Sequence, residues 1–535
     1  MIKFDPNIYP YSSRRSVVYS KNGMVATSCP LASEAGLEIL KKGGNAIDAI
    51  VAAAATLIVI EPTNNGIGGD AFAILSVKDK IYGLNSSGPS PKLLTAEKLL
   101  AKGLKEVPTH GLTPVNVPGI PKAWAELNKK FGKLPLSQVI EPAIKIAREG
   151  FPLAVTVGKL WKRAFDTYKK QTGEEFKYWF DTFTKDGVAP EIGDIIHLPN
   201  HADTLEKIGA TGSDAFYKGE FAEKIDAFSK KYGGYIRKED LAEYEAEWVE
   251  PITTNYRGYD VYEIPPNGHG ICALMALNIA SNFKYEARET VETYHTLIES
   301  MKLAFADVQK YVTDPRYMKV SVKDLLSMAY AKERSKLIGT TALQPEAGDP
   351  FSGGTVYLAA ADADGNMISY IQSNYMGFGS GMVIPDTGIA LHNRGNNFNL
   401  DINSVNCVGP GKKPYHTIIP GFLGKGGKVI GPFGVMGGFM QPQGHLQVIT
   451  NTIDFLMNPQ AALDAPRWQW IGDKTIELEH GVSEHIAYAL SAKGHDIKVV
   501  HNPISMGRGQ IIWKLDNGVF CGGTEPRADG HIALF

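Results

Sequence analysis

The chain has 535 residues, 44% of them apolar and 21% charged, with 56 Gly and 31 Pro. That composition fits a folded globular protein and excludes a disordered, collagenous or disulfide-stapled one, while length leaves the number of domains open. Lys plus Arg number 55 against 57 Asp plus Glu, a formal net charge of -2 with no long run of one sign, so the basic footprint of a nucleic-acid binder is missing.

The opening MIKFDPNIYPYSSRRSVVYS carries an Asp, two Pro and no apolar core of signal-peptide length, which predicts a cytoplasmic protein. Apolar residues recur at helical spacing from Leu31 to Leu40, with Ser33 near the start and Gly43-Gly44 as the stop. The apolar stretch Ala46 to Ile60 contains Asp48 and ends at Glu61-Pro62, too short and interrupted to span a bilayer, and reads as a buried helix. The turn Asn64-Asn65-Gly66-Ile67-Gly68-Gly69-Asp70 follows, able to bring backbone close to a strand or a ligand, and then the strand AFAILSV. Helical periodicity returns from Pro135 to Arg148 and from Thr290 to Tyr311, the latter predicted as one long amphipathic helix. After Gly353-Gly354 the pattern alternates: TVYLAAADADGNMISYIQSNY predicts two strands joined at Asp364-Gly365. Further strands are expected in KVIGPFGVMGG, IELEHGV, DIKVVHN and GQIIWKLDNGVFCGGTEP, the last turning at Asp516-Asn517-Gly518. Helices early and strands late predict a sheet-containing core spanning both halves, and no repeat of solenoid length recurs.

Most motif-like features have ordinary readings. Cys29, Cys272, Cys407 and Cys521 lie too far apart for a zinc or redox pair and read as small buried hydrophobes. Asp362-Ala363-Asp364-Gly365-Asn366 imitates a calcium loop but lacks its closing glutamate, so the hairpin is expected instead. Gly66-Ile67-Gly68-Gly69 follows a helix rather than a strand, and Gly409-Pro410-Gly411-Lys412 lacks P-loop spacing, so no cofactor or nucleotide site is expected. His110, His269, His392, His416 and His445 stand singly, and no metal site is expected. One segment suggests chemistry: Pro350-Phe351-Ser352-Gly353-Gly354-Thr355, a flexible approach ending at a Thr that opens a strand. Attack of that hydroxyl on the Gly354 carbonyl, then hydrolysis of the ester, would free a Thr355 whose α-amine can act as its own general base.

Around that segment the sequence resembles the γ-glutamyltransferase (glutathione hydrolase) family of N-terminal-nucleophile hydrolases. The resemblance runs from MVATSCPLASEAGLEILKKGGNAIDAIVAAAATLIVIEPTNNGIGGDAFAI through VNVPG at 115–119, PPNGHG at 265–270, YHTLIESMKLAFAD at 294–307 and the Thr355 strands. It continues through PGKKPYHTIIP at 410–420, MGG at 436–438 and TEPR at 524–527. It implies an α+β fold, a four-layer αββα sandwich, and a proenzyme cut between Gly354 and Thr355. The products would be a large chain 1–354 and a small chain 355–535 that stay associated in one core. By the same resemblance Thr355 matches the nucleophile, Ser373 its supporting hydroxyl, and Gly437-Gly438 the pair whose N–H groups form an oxyanion hole.

Departures from the family pattern fall on substrate binding. The family's arginine for the substrate α-carboxylate faces Ser86-Ser87-Gly88-Pro89-Ser90-Pro91, which has no arginine. The acidic residues for the α-ammonium face Arg394 and Asn397, the carboxylate-binding Ser pair faces His416-Thr417, and an Asn faces Tyr375. Burying either charge of a γ-glutamyl head unpaired is costly, so this pattern predicts that Arg394 binds a carboxylate on an acyl group without an α-ammonium, as in a dicarboxylic monoamide or an oxamate-like or glutaryl amide. A local ion pair, for example with Asp401, is the competing expectation for Arg394. The function expected is a cofactor-free amide hydrolase or acyltransferase working by ping-pong transfer, close to the signal-less glutathione hydrolase-like proteins of the family. It would act on a small amide, without nucleic acid or membrane, and a homo-oligomer is left open. The alternatives are a true γ-glutamyltransferase and an unprocessed binding protein; Gly354, Thr355, Ser373, Gly437 and Gly438 together argue against the latter.

Overall fold

The hairpin expected around Asp364-Gly365 lies at the centre of the architecture. In a computed structural model describing residues 15–345 and 354–535, strands Gly354–Asp362 and Met367–Tyr375 pair antiparallel. Residues 1–14 and the approach Pro350–Gly353 lie outside the described residues. The acid that imitates a calcium ligand is spent locally: Asp362 Oδ1 accepts the N–H groups of Asp364 and Asn366 at 3.0 and 3.1 Å. Its Oδ2 accepts the Ala46 N–H at 2.8 Å, fixing the start of the helix Ala46–Ile60 against the hairpin.

That hairpin sits inside a seven-stranded sheet in the order 531–534, 23–27, 354–362, 367–375, 70–77, 80–86, 247–249. A second seven-stranded sheet runs 18–20, 520–524, 508–514, 428–436, 421–425, 259–263, 252–256. Strands from before and after Thr355 are interleaved in both. Side-chain alternation then dictates the layers. Met24, Phe72, Tyr357, Ala359 and Ile371 of the first sheet meet Phe422, Met436, Ile512 and Phe520 of the second in one buried cluster. The opposite faces, Val356, Leu358, Ile368 and Tyr370 on one sheet and Phe433, Val435, Ile511 and Trp513 on the other, are each covered by helices. The result is the α+β, four-layer αββα sandwich expected from the sequence.

The two opening helices are Pro30–Lys41 and Ala46–Ile60, the second buried at every position and started by an Asn45–Asp48 capping box. Two expectations need correction. The helix expected over 135–148 is two pieces, Leu136–Val139 and Glu141–Glu149, because Pro142 has no N–H to continue a helix and suits only a first turn. Val291–Tyr311 is one helix as expected, yet most of its residues are buried, so it is a core helix rather than an amphipathic surface one. Cys29, Cys272 and Cys521 are buried as expected, whereas Cys407 is only partly so. The glycine turn at 66–69 approaches backbone: a Cβ on Gly69 would lie 2.5 Å from the Ser373 carbonyl oxygen. Among the described residues no helix is long and apolar enough to cross a membrane.

Candidate functional site

Thr355, Tyr357, Ala359 and Ala361 alternate onto the inter-sheet face of their strand, so Thr355 is the last side chain at one end of the space between the sheets. Pairing shifts there: Gly354 opposes Tyr375 and Val356 opposes Gln372, leaving Ser373 and Asn374 opposite Thr355 alone. Such a bulge re-aims side chains, and here Thr355 Oγ1 donates to Ser373 Oγ at 3.1 Å, with both residues buried. The Tyr375 N–H donates to the same Ser373 oxygen at 2.8 Å. Tyr375 itself holds φ +76°, a left-handed conformation that a non-glycine residue adopts only when its surroundings impose it.

The second sheet contributes from the same end. Strand Lys428–Met436 runs into Gly437 and Gly438, whose φ values of +138° and +60° are open to glycine and strained for other residues. Their carbonyls accept the N–H groups of Met440 and Gln441, opening the helix Met440–Ile453, so this glycine pair lies at a helix N-terminus, where partial positive charge collects. Backbone donors in such a place can stabilise a developing oxyanion.

Arg394 opens the short turn 394–397 and is fully buried. Its Nη1 donates to Thr417 Oγ1 at 2.6 Å, and its guanidinium carbon lies 4.4 Å from the centre of the Tyr375 ring. Nε and Nη2 are buried without a hydrogen-bond partner. The acid nearby is not Asp401, whose carboxylate serves the Asn403 amide on the surface, but Asp70, with Oδ2 3.7 Å from Arg394 Nε, beyond hydrogen-bond range. Burial pushes Asp70 up to about 7, with Arg394 and the Gly88 N–H pulling it back. Burial lowers Arg394 to about 10, which leaves it cationic at neutral pH.

Two histidines close this cluster. His416 Nε2 donates to Asp70 Oδ2 at 2.9 Å, and His416 is held neutral by burial and by Arg394. His392 Nε2 donates to the Asn116 carbonyl at 3.1 Å, its Nδ1 accepts the Arg394 N–H, and burial lowers it to about 3. His416 is thus tied to Asp70, and its neighbour Thr417 holds Arg394. Tyr375 and Asn397 line a cavity of about 310 Å³ with Phe398, Leu400, Tyr415 and Phe439, and Lys105 and Glu106 add charge to its wall. Asn397 Nδ2 is also buried and unpartnered.

Of the residues expected at the site, the structure brings Thr355, Ser373, Tyr375, Arg394, Thr417 and the glycine pair to one end of the sandwich. Sequence reading gave Asp70 and His392 no role; the signal for Asp70 was a lone acid closing a turn rich in glycine and asparagine. It also passed over His295, Glu299 and His495, buried donors within 4.8 Å of one another, close enough for a metal ion. There the Lys302 ammonium, 2.8 Å from Glu299 Oε1, supplies the opposing charge, while Glu299 Oε2 accepts the Leu343 N–H and His295 Nε2 meets the Gly339 carbonyl. That cluster anchors the stretch 339–343.

Residues 32–535 match the gamma-glutamyltranspeptidase family. The chain is 37% identical over 530 residues to the glutathione hydrolase-like YwrD proenzyme of Bacillus subtilis, covering 96% of this chain and 99% of that one. It is 31% identical over 527 residues to the oxamate amidohydrolase proenzyme of Klebsiella pneumoniae, covering 96% and 98%. The crystal structure of a cephalosporin acylase from Bacillus halodurans superposes with a TM-score of 0.97 at 58% identity, over 100% of this chain and 99% of that one. The chain belongs to the gamma-glutamyltranspeptidase family.

Proposed function

We propose that the protein is an autoprocessing amide hydrolase or acyltransferase in which Thr355 is the nucleophile and Arg394 receives a carboxylate on the acyl half of the substrate. One observation carries the reading: Arg394, a buried cation with Nε and Nη2 unspent, lies over Tyr375, a wall of the cavity two residues from Ser373. A carboxylate accepts two parallel N–H bonds from such an edge. The substrate class that fits is a dicarboxylic monoamide. The oxamate amidohydrolase relative bears the name of one such compound.

In processing, Thr355 Oγ attacks the Gly354 carbonyl and the Thr355 nitrogen leaves as the amine. Water then hydrolyses the ester to a Gly354 carboxylate and a free Thr355, giving chains 1–354 and 355–535. In turnover the α-amine takes the Thr355 hydroxyl proton as Oγ attacks the amide carbonyl. The N–H groups of Gly437 and Gly438 receive the oxyanion, and the proton passes to the departing amine. Water or a second amine then releases the acyl group from Thr355, whose hydroxyl is restored. Ser373 positions the Thr355 hydroxyl through their hydrogen bond. A second reading, a γ-glutamyl substrate, is favoured by Glu106, a carboxylate on the same cavity that can face an α-ammonium.

Intact mass spectrometry of the denatured protein tests the nucleophile. Two chains, ending at Gly354 and beginning at Thr355, are expected from the wild type and one uncut chain of 58.2 kDa from Thr355→Ala. An uncut wild type would leave Thr355 without its amine and point to a binding protein. Turnover of glutaryl-p-nitroanilide against γ-glutamyl-p-nitroanilide then separates the two substrate readings.

A further inference from the structure

Arg394 and the cavity it is proposed to serve are not in open contact. The lining of that cavity, of about 310 Å³, takes in Tyr375, Asn397 and Phe398 but neither Arg394 nor its partner Thr417. Arg394 itself is fully buried. The side chain common to both is Tyr375: its ring forms part of the cavity wall and also packs against the guanidinium, whose carbon lies 4.4 Å from the ring centre. In this conformation the ring stands between a carboxylate in the cavity and the unspent Nε and Nη2 of Arg394.

That ring can turn without disturbing the chain that carries it. The main chain of Tyr375 is fixed by its own means, the N–H donating to Ser373 Oγ at 2.8 Å and φ held at +76° beside the bulge opposite Thr355. Among the described residues the Tyr375 hydroxyl has no hydrogen-bond partner, so the specific hold on the side chain is the cation–π contact with Arg394. A guanidinium over a ring is a weaker contact than a guanidinium forked to a carboxylate. A carboxylate therefore displaces the ring, and an uncharged acyl group leaves it in place. With the ring in place the walls are Tyr375, Phe398, Leu400, Tyr415 and Phe439, the last two aromatic rings within 14° of parallel. Such walls suit a flat aromatic side chain.

We propose that Tyr375 is a shutter that sets acyl specificity: closed on Arg394 it makes the cavity an aromatic pocket for an uncharged arylacetyl group, and turned aside it admits a carboxylate to Arg394. The inference rests on the reading of Arg394 as a carboxylate receptor given above. It adds a second class of acyl donor, arylacetyl amides, to the dicarboxylic monoamides, with one side chain choosing between them.

Chemical labelling and a pair of substrates test it. Methylglyoxal modifies the guanidinium groups it can reach, and peptide mass mapping reads the extent at Arg394 without any turnover. Tyr375→Gly removes the ring and leaves a residue at ease with φ +76°. Arg394 is expected to label at least about tenfold faster in that variant than in the wild type, and glutarate should slow the labelling in both. Tyr375→Gly should lower KM for glutaryl-p-nitroanilide by about twofold to thirtyfold, the range of a cation–π contact that no longer has to be broken. The same variant should lower kcat/KM for phenylacetyl-p-nitroanilide about tenfold, and Tyr375→Phe, which keeps the ring, should bring both values back toward wild type. If neither anilide is cleaved while the labelling behaves as expected, the acyl-threonine reading fails and the shutter stands. Labelling that differs between the variants but is not slowed by glutarate overturns the carboxylate role of Arg394 and the shutter with it. Equal labelling of Arg394 in wild type and Tyr375→Gly, an unlowered KM for the glutaryl compound, or a wild type that cleaves the glutaryl but not the phenylacetyl anilide overturns the shutter alone.

Discussion

Two buried arginine clusters in this protein have opposite states of completion. Arg467 gives Nη1 to the carbonyls of Met506 and Gly507 at 3.0 and 2.8 Å and Nη2 to Glu525 at 2.8 Å. Arg527 spends its fork on Glu479, Glu525 and two backbone carbonyls. Arg394, equally buried, makes one side-chain hydrogen bond, to Thr417, and leaves Nε and Nη2 unspent. A buried cation whose terminal nitrogens are spent on the protein holds the fold together; one left short is, in the function proposed above, open to a substrate carboxylate. The Arg467 cluster holds Met506 and Gly507, and Gly507 packs against Gly437, so the finished cluster frames the glycine pair proposed as oxyanion donors.

That contrast can be broken by substitution, and the largest expected effect is on the finished cluster. Glu525→Gln removes the charge shared by Arg467, Arg527 and the Gly509 N–H, and should destabilise the protein by about 3–5 kcal/mol, read as a lower midpoint in urea or heat. Arg394→Met should leave the melting temperature close to wild type, since Asp70 can take up a proton once the cation is gone. It should lower kcat/KM for glutaryl amides by about tenfold to a hundredfold, mostly through KM. A stability loss as large as that of Glu525→Gln would make Arg394 a structural residue too.

The smallest expected effect is on pH dependence and sharpens the role of Asp70. Its folded-state pKa is raised to about 7 from an ordinary 3.8, so the native state holds more protons than the unfolded one between those values, and stability falls as pH rises through that window. Above about 7 the ionised Asp70 also competes for Arg394. KM for a dicarboxylic monoamide should therefore rise severalfold from pH 6 to 8 in the wild type and stay flat in Asp70→Asn. The facing groups are Arg394, His392, His416 and Lys413; both histidines are held neutral across this range and Arg394 stays charged, leaving Asp70 as the group that changes.

Much of the site was legible because its parts are local. Thr355 and Ser373 belong to one hairpin written in alternation and an Asp-Gly turn, and the glycine pair ends a strand and opens a helix. Asp70 was not legible as the partner of Arg394, since 324 positions separate them and only the docking of the glycine turn onto the Ser373 strand brings them together. Asp401, near in sequence, was the wrong choice because its loop faces solvent. The break before Pro142 could have been read from the proline, but helical periodicity on both sides of it hid the restart. The burial of Val291–Tyr311 depends on what packs over it, and no pattern within the helix reports that.

The interleaving of the two sheets bears on the protein's lifetime. The strand 23–27 is flanked by 531–534 and 354–362, and 428–436 and 421–425 are followed by 259–263, so neither piece of a chain cut at Thr355 can build a complete sheet from its own strands. Once cut, the fragments hold each other by fourteen interdigitated strands, but after full unfolding they must find each other in dilute solution before either sheet can re-form. A chain cut in this way would last through the height of its unfolding barrier and its thermal loss would run one way, whereas an uncut chain keeps an intramolecular route back.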